Sequence, residues 1–147
     1  MKEEFVIQIT GVQTYIGQNG DDDYDDKIVI DTLGSYSVKN SGKFIAYHEM
    51  DPDTGKKAPL SIVKVEDGKM TMSKSGAATK LELEPGQHKI CAYDTPYGAL
   101  TMGIKTHELR HELDENGGEL FVRYSIYLNN TISTRNTVHI RVKRAEL

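Results

Sequence analysis

One cysteine, Cys91, stands in a chain of 147 residues, so no intrachain disulfide can staple the fold and its stability has to come from a core. A chain of this length buries roughly two thirds of its unfolded surface, and one domain over 1–147 is expected. Long apolar runs are missing too. The opening MKEEFVIQIT has neither a signal-peptide core nor a stretch that could span a bilayer, which predicts a cytoplasmic protein without a membrane partner. No segment keeps a 3.6-residue apolar period, and there is no internal repeat or low-complexity tail; a helical architecture is excluded. Hydrophobic residues make up only 37% of the chain, a share that suits sheets with one wet face. Neither sign of charge dominates. With 18 basic against 22 acidic residues the formal charge is −4, so no global attraction to nucleic acid or anionic lipid is expected.

What the chain does have is turns. Asn40-Ser41-Gly42, Asp51-Pro52-Asp53-Thr54-Gly55, Asp67-Gly68, Glu84-Pro85-Gly86, Thr95-Pro96-Tyr97-Gly98, Asn116-Gly117-Gly118 and Asn129-Asn130 punctuate it at short intervals. Such spacing predicts an antiparallel meander. Between the turns the apolar period is two: Phe5, Ile7 and Ile9 on one face of a strand, then Leu120, Val122, Tyr124, Ile126 and Leu128, then Val138, Ile140 and Val142. About eight to ten strands are read in this way. A sheet that large exposes two edges unless it closes, so the predicted fold is an all-β, single antiparallel barrel. Gly11, Gly34, Gly76 and Gly103 fall inside strand patterns, where glycine marks bulges and tight bends. In Thr95-Pro96-Tyr97-Gly98, proline presets one turn position and glycine supplies a positive φ two residues later.

The same stretch carries a family likeness. Tyr93-Asp94-Thr95-Pro96-Tyr97-Gly98, Lys74-Ser75-Gly76, Phe44 to Glu49 followed by Thr54-Gly55, and Tyr124-Ser125-Ile126 together resemble the YwiB-like family of bacterial proteins of unknown function. The resemblance spans nearly the whole chain. It implies a lipocalin-like, calycin-type barrel and no particular activity. The chain lacks the first-strand tryptophan of secreted lipocalins and the Arg-x-Tyr carboxylate clamp of intracellular fatty-acid-binding proteins.

Several constellations invite chemistry and are set aside on spacing. His107-Glu108-Leu109-Arg110-His111 fits H-E-x-x-H, a zinc signature that works on a helix, where positions i and i+4 share a face. Here it continues a strand, where its two histidines would point the same way but stand roughly 13 Å apart at ~3.3 Å per residue. No metal is expected. The run Asp21-Asp22-Asp23-Tyr24-Asp25-Asp26 lacks the glycine and glutamate of a calcium loop, with Asp26 and Thr32 standing in those places; it reads as a solvated loop. Cys91 and His88 are three apart and face opposite sides of a strand, which argues against a thiolate pair. Arg123, Arg135, His139, Arg141 and Lys143 would form a basic stripe on the outside. Nucleic-acid binding would also want exposed aromatics, and only Phe121 and Tyr127 qualify, so none is expected.

The interior is more informative. Met70, Met72 and Lys74 share a strand face, so a core position for the methionines turns Lys74 toward the interior or its rim, where an ammonium needs a partner. Glu49 and the hydroxyls of Tyr97 and Tyr124 are the candidates. These four residues form the predicted ligand-binding set, without catalytic residues and without a cofactor. The resulting expectation is a non-enzymatic barrel that holds a small molecule inside; a protein–protein interaction module with a filled core is the alternative.

Overall fold

A computed structural model describes residues 5–17, 24–50, 53–75 and 80–145, with backbone alone at Tyr24 and 91–95. Within them the chain forms ten strands: β1 (Phe5–Tyr15), β2 (Tyr24–Lys39), β3 (Gly42–Tyr47), β4 (Ser61–Glu66), β5 (Lys69–Lys74), β6 (Lys80–Leu83), β7 (His88–Thr95), β8 (Gly98–Asp114), β9 (Gly117–Leu128) and β10 (Thr131–Arg144). No helix occurs among the described residues, and none is therefore long and apolar enough to cross a membrane. Asp21 to Asp23, Asp51, Pro52, Gly76 and the side chain of Cys91 lie outside the described residues.

All pairings are antiparallel, in the order β6-β5-β4-β3-β2-β1-β10-β9-β8-β7. The first strand pairs with the last along its whole length, from Phe5↔Arg144 to Tyr15↔Thr134, and this joins the two halves of the meander into a nearly closed barrel. A seam remains between β6 and β7. It is spanned by Lys89, whose ammonium lies 2.9 Å from Glu82 and 3.4 Å from Glu84, and by the β6–β7 connection, where Gly86 N–H donates to the Thr106 carbonyl at 3.2 Å.

Strand β2 serves two neighbours. Its first part pairs with β1 and its last part with β3, and Gly34 faces both Phe5 and Tyr47. A Cβ at Gly34 would overlap the Ile7 side chain and the Ala46 carbonyl oxygen, so the close approach that lets β2 bend between the two ladders requires glycine.

The turn chemistry is realised as the residue types dictate. Gly98 follows the Pro-Tyr turn with φ 118°, and Asn129 and Asn130 take φ 50° and 67° in the β9–β10 hairpin, the left-handed pair that such a two-residue loop needs.

One end of the barrel is filled. Phe5, Ile7, Tyr36, Ile45, Val65, Met70, Leu83, Leu120, Ile140 and Val142 are buried in a single cluster, and it is this apolar burial that holds the strands together. Phe5 meets Tyr36 edge to face at 5.3 Å between ring centroids, and the Tyr36 hydroxyl donates to the Asp114 carbonyl at 2.7 Å. Burial, with the Asp114 charge second, pushes the Tyr36 phenol up to about 12.

Gly98→Val should lower stability by ~1–2 kcal/mol, because a β-branched residue is strained at that φ, and Gly34→Ala by ~1–3 kcal/mol through overpacking; thermal melts read both. Because the fold favours neutral Tyr36, the stability it contributes is intact below pH 10 and is lost as pH climbs from 10 toward 12. Tyr36→Phe should cost ~1 kcal/mol at neutral pH and flatten part of that alkaline decline in denaturant titrations.

Candidate functional site

The alternation that buries Ile7 and Ile9 continues along β1, so Gly11, Gln13 and Tyr15 face the same interior. In register beside them on β10 are Val138, Asn136 and Thr134, and beyond those on β9 lie Val122, Tyr124 and Ile126. Here the inner wall changes character. Asn136 and Thr134 are buried and joined, with the amide donating to the hydroxyl at 3.0 Å. The Tyr15 hydroxyl donates to Gln13 Oε1 at 3.0 Å. Tyr124 is buried between Thr106 and Asn136 in the ladders, and burial raises its phenol above the ordinary tyrosine range. Around these polar groups Ile30, Met72, Leu81, Met102, Ile126 and Val138 are only partly buried, packed on the core but not enclosed by it. Ile28 shares this face and is 58% exposed, since its partner Gly11 offers no side chain to cover it. The inner face of the upper end, where the odd-numbered strands finish, is therefore lined by partly exposed apolar side chains with a few amide and hydroxyl groups among them.

The four residues predicted from the sequence all belong to this end, at different depths. Tyr124 is in the inner wall. Lys74 closes β5 opposite Ser61, is exposed, and makes no ion pair among the described residues. Glu49 lies just past β3, its carbonyl accepting the Ala58 N–H at 2.7 Å. Tyr47, paired with Ser61, has its phenol raised first by burial and then by the Glu49 charge, against a hydrogen bond from Ser61; Glu49 and Lys74 thus flank the β3–β4–β5 rim. Tyr97 is 99% exposed at the tip of the β7–β8 turn and stands apart from the other three. Asn136, Thr134 and Gln13 were not singled out from the sequence, although extending the Val142, Ile140, Val138 alternation by two steps leads to Asn136 and Thr134.

The outer face carries a second site, created by one irregularity. On β8, Thr106 pairs with Tyr124 and Glu108 with Arg123, so His107 is an extra residue in the ladder. This bulge inverts the alternation: Ile104 and Thr106 face inward before it, Leu109 and Leu113 after it. The sequence-based expectation that His107 and His111 point the same way is corrected accordingly. The bulge leaves His107 outside, with Nε2 2.7 Å from Ser125 Oγ, while His111 shares the inward register of Leu109 and Leu113 and pairs with Leu120. Imidazoles on opposite faces of a sheet cannot meet one ion. The groove beside His107 measures about 460 Å³ and has Arg123, Ser125, Tyr127 and Arg135 in its walls. Burial first, then the charges of Arg123, Lys105 and Arg135, hold the His107 imidazole below its ordinary pKa. The remaining cations of the predicted stripe lie lower on the barrel, where Arg141 is 2.9 Å from Glu119 and His139 faces the same carboxylate at 3.8 Å.

Comparison with known proteins agrees with this architecture. Residues 7–140 match DUF1934, a domain of unknown function. The chain is 29% identical over 131 residues to the uncharacterized β-barrel protein YwiB of Bacillus subtilis (strain 168), a match covering 88% of this chain and 87% of that protein. The crystal structure of the ywiB protein from Bacillus subtilis superposes with a TM-score of 0.71 at 24% identity, covering 99% of this chain and 96% of the other, and so shares the barrel fold.

The placement of Lys74 sets an expectation. An exposed ammonium without an ion pair is worth little to the fold, so Lys74→Met should change stability by less than ~0.5 kcal/mol, and Glu49→Gln should add nothing to it in a double-mutant melt. Destabilisation by the single change that the double change rescues would instead reveal a buried Lys74–Glu49 pair. Purified protein is expected to carry no stoichiometric zinc, before or after His107→Ala, as elemental analysis would read.

Proposed function

The chain belongs to the DUF1934 family, and we propose that it is a non-enzymatic, lipocalin-like cytoplasmic protein that binds a small ligand within the open end of its barrel. The observation that carries this reading is the asymmetry of the inner wall. Inward residues at the lower end are mostly buried against one another, with Val38, Lys43 and His111 keeping exposure at its rim, whereas Gln13, Tyr15, Ile28, Ile30, Ile126 and Val138 at the upper end all retain exposure despite facing inward. A concave apolar surface with a few converging polar groups is the usual form of a small-molecule site. Asn136, Thr134 and the Tyr124 hydroxyl supply neutral hydrogen-bonding groups, which favours a mainly apolar ligand with an uncharged polar function. Glu49 and Lys74 are assigned to the rim above it, and Tyr97 to the outermost turn.

A second reading, an interaction module, is favoured by one specific feature. Residues 24–33 of β2 pair with β1 on one side only among the described residues, and Val29 and Leu33 are 65% and 49% exposed beside them. An edge of this kind can accept an added strand, although Asp25, Asp26, Lys27 and Asp31 place charges along it, as protected edges do.

Anilinonaphthalene sulfonate, a fluorescent apolar probe, distinguishes the two readings. Saturable one-to-one binding is expected, weakened about tenfold or more by Ile126→Trp, which places a bulky side chain in the proposed site, and unchanged by Val29→Lys. Probe affinity that ignores Ile126→Trp in a protein with an intact melt would sink the interior site; loss on Val29→Lys would move it to the β2 edge.

A further inference from the structure

We propose that the outer groove beside the β8 bulge binds a small phosphate monoester, separately from any ligand inside the barrel. The starting point is an excess of donors and positive charge in one place. Arg123 and Arg135 stand in the groove walls on neighbouring strands, Lys105 pairs directly with Ser125 in the β8–β9 ladder, and all three act on His107. Arg135 and Lys105 make no ion pair among the described residues. The nearest carboxylate on β8, Glu108, lies 2.6 Å from Arg110 on the one side and 3.7 Å from Arg123 on the other, so it is engaged chiefly outside the groove. Like charges gathered in this way repel one another until an anion joins them.

The geometry of the donors narrows the anion. Two guanidinium groups offer planar forks suited to phosphate or carboxylate oxygens. His107 contributes an imidazole that becomes a second donor on protonation, held in place by the bulge and by Ser125, whose side chain is 2% exposed. Donors from three strands suit the several terminal oxygens of a phosphate better than the two of a carboxylate. The groove exceeds what one inorganic ion needs, and Val12, Ile132 and Tyr127 give it an apolar wall against which the organic part of an ester can rest. Tyr127 is steadied by His88 at 5.6 Å between ring centroids.

The charged and titratable groups around His107 determine how binding responds to pH. On β8 and β9 they are Lys105, Glu108, Arg123 and Tyr127; Arg135 stands on β10, His88 on β7, and Asp25 on β2, where it accepts the Thr14 hydroxyl at 2.7 Å. Cations outnumber carboxylates in this set, so the empty groove favours neutral imidazole, and a bound dianion favours the protonated form. Binding therefore takes up a proton and strengthens as pH falls from 8 toward 6, until the phosphate itself protonates below its second pKa of about 6.

Proton NMR of the histidine C2–H resonances, with His107 assigned through His107→Gln, tests this in the intact chain. Inorganic phosphate and phenyl phosphate are titrated separately at several pH values. Both are expected to saturate and to raise the pH midpoint of His107 but not that of His111. Phenyl phosphate should bind several-fold tighter, and Arg135→Gln and Arg123→Gln should each weaken it about tenfold; both side chains are exposed, and unchanged melts would confirm that the variants fold. Equal affinity for the two probes would overturn the ester assignment in favour of a free anion. Absence of saturable binding, indifference to the two arginines, or an unmoved His107 midpoint would overturn the site. Tighter binding of a single-stranded oligonucleotide than of phenyl phosphate would replace a small ligand by a nucleic acid.

Discussion

The ladder between β1 and β10 is the constraint on which the rest of the barrel depends. Eleven residues of β1 pair in unbroken register with the last strand, and in doing so they convert an open meander with two long halves into a nearly closed surface. Closure gives every strand an inside and an outside. It also removes most of the exposed edge that a sheet of ten strands would otherwise present. Among the described residues, the edge that remains lies on the short β6, on β7, on the part of β2 that outruns β3 and on the part of β8 that outruns β7; the first two are held together by Lys89 across Glu82 and Glu84.

Given that closure, the core is asymmetric for reasons of side-chain chemistry. Below, the inward positions carry Ile7, Ile45, Met70, Leu83, Leu120 and Ile140, all with almost no exposure, and they exclude water. Above, the same register places Gln13, Asn136, Thr134 and Tyr124 inward. Buried polar groups are tolerated only when hydrogen-bonded, and here Asn136 bonds Thr134 and Tyr15 bonds Gln13; no buried side-chain polar atom is left without a partner among the described residues. Such a structural polar network is compatible with the proposed interior ligand site, because groups that satisfy one another can exchange partners with a guest.

The outer groove follows from a single additional residue. A strand of strict alternation through 98–114 would turn either Thr106 or Leu109 to the wrong side. The bulge at His107 resolves the conflict by letting Ile104, Thr106, Leu109 and Leu113 all face inward. Its by-product is an imidazole pressed against Ser125 on the outside, among arginines from two other strands. Bulges often re-aim a side chain in this way. The local cost of an unpaired residue is offset by the apolar burial of the residues on either side.

The period-two pattern and the turn residues by themselves determined the strands, the hairpins at Asn129-Asn130 and Pro96-Tyr97-Gly98, the inward faces of β9 and β10, and the all-β class, because each depends on neighbours within a few positions of the chain. The ordered motifs around the Pro-Tyr-Gly turn were enough to point to the family. Gly34 was legible as a bend, but the reason for it, the crowding by Ile7 and Ala46, lies in other strands. Of the four candidate residues, the inward facing of Tyr124 was legible because its strand alternates without interruption. The exposure of Tyr97 was not, because a turn tip carries no period from which it could be read. Only tertiary structure decided that the barrel closes through β1 and β10 and keeps its seam at β6 and β7, that β8 contains an extra residue where H-E-x-x-H had looked continuous, and that Arg123 and Arg135 share one groove. Each of these is a matter of register between strands. Register is set by the packing of a whole face rather than by any one segment, and a slip of one residue exchanges inside for outside.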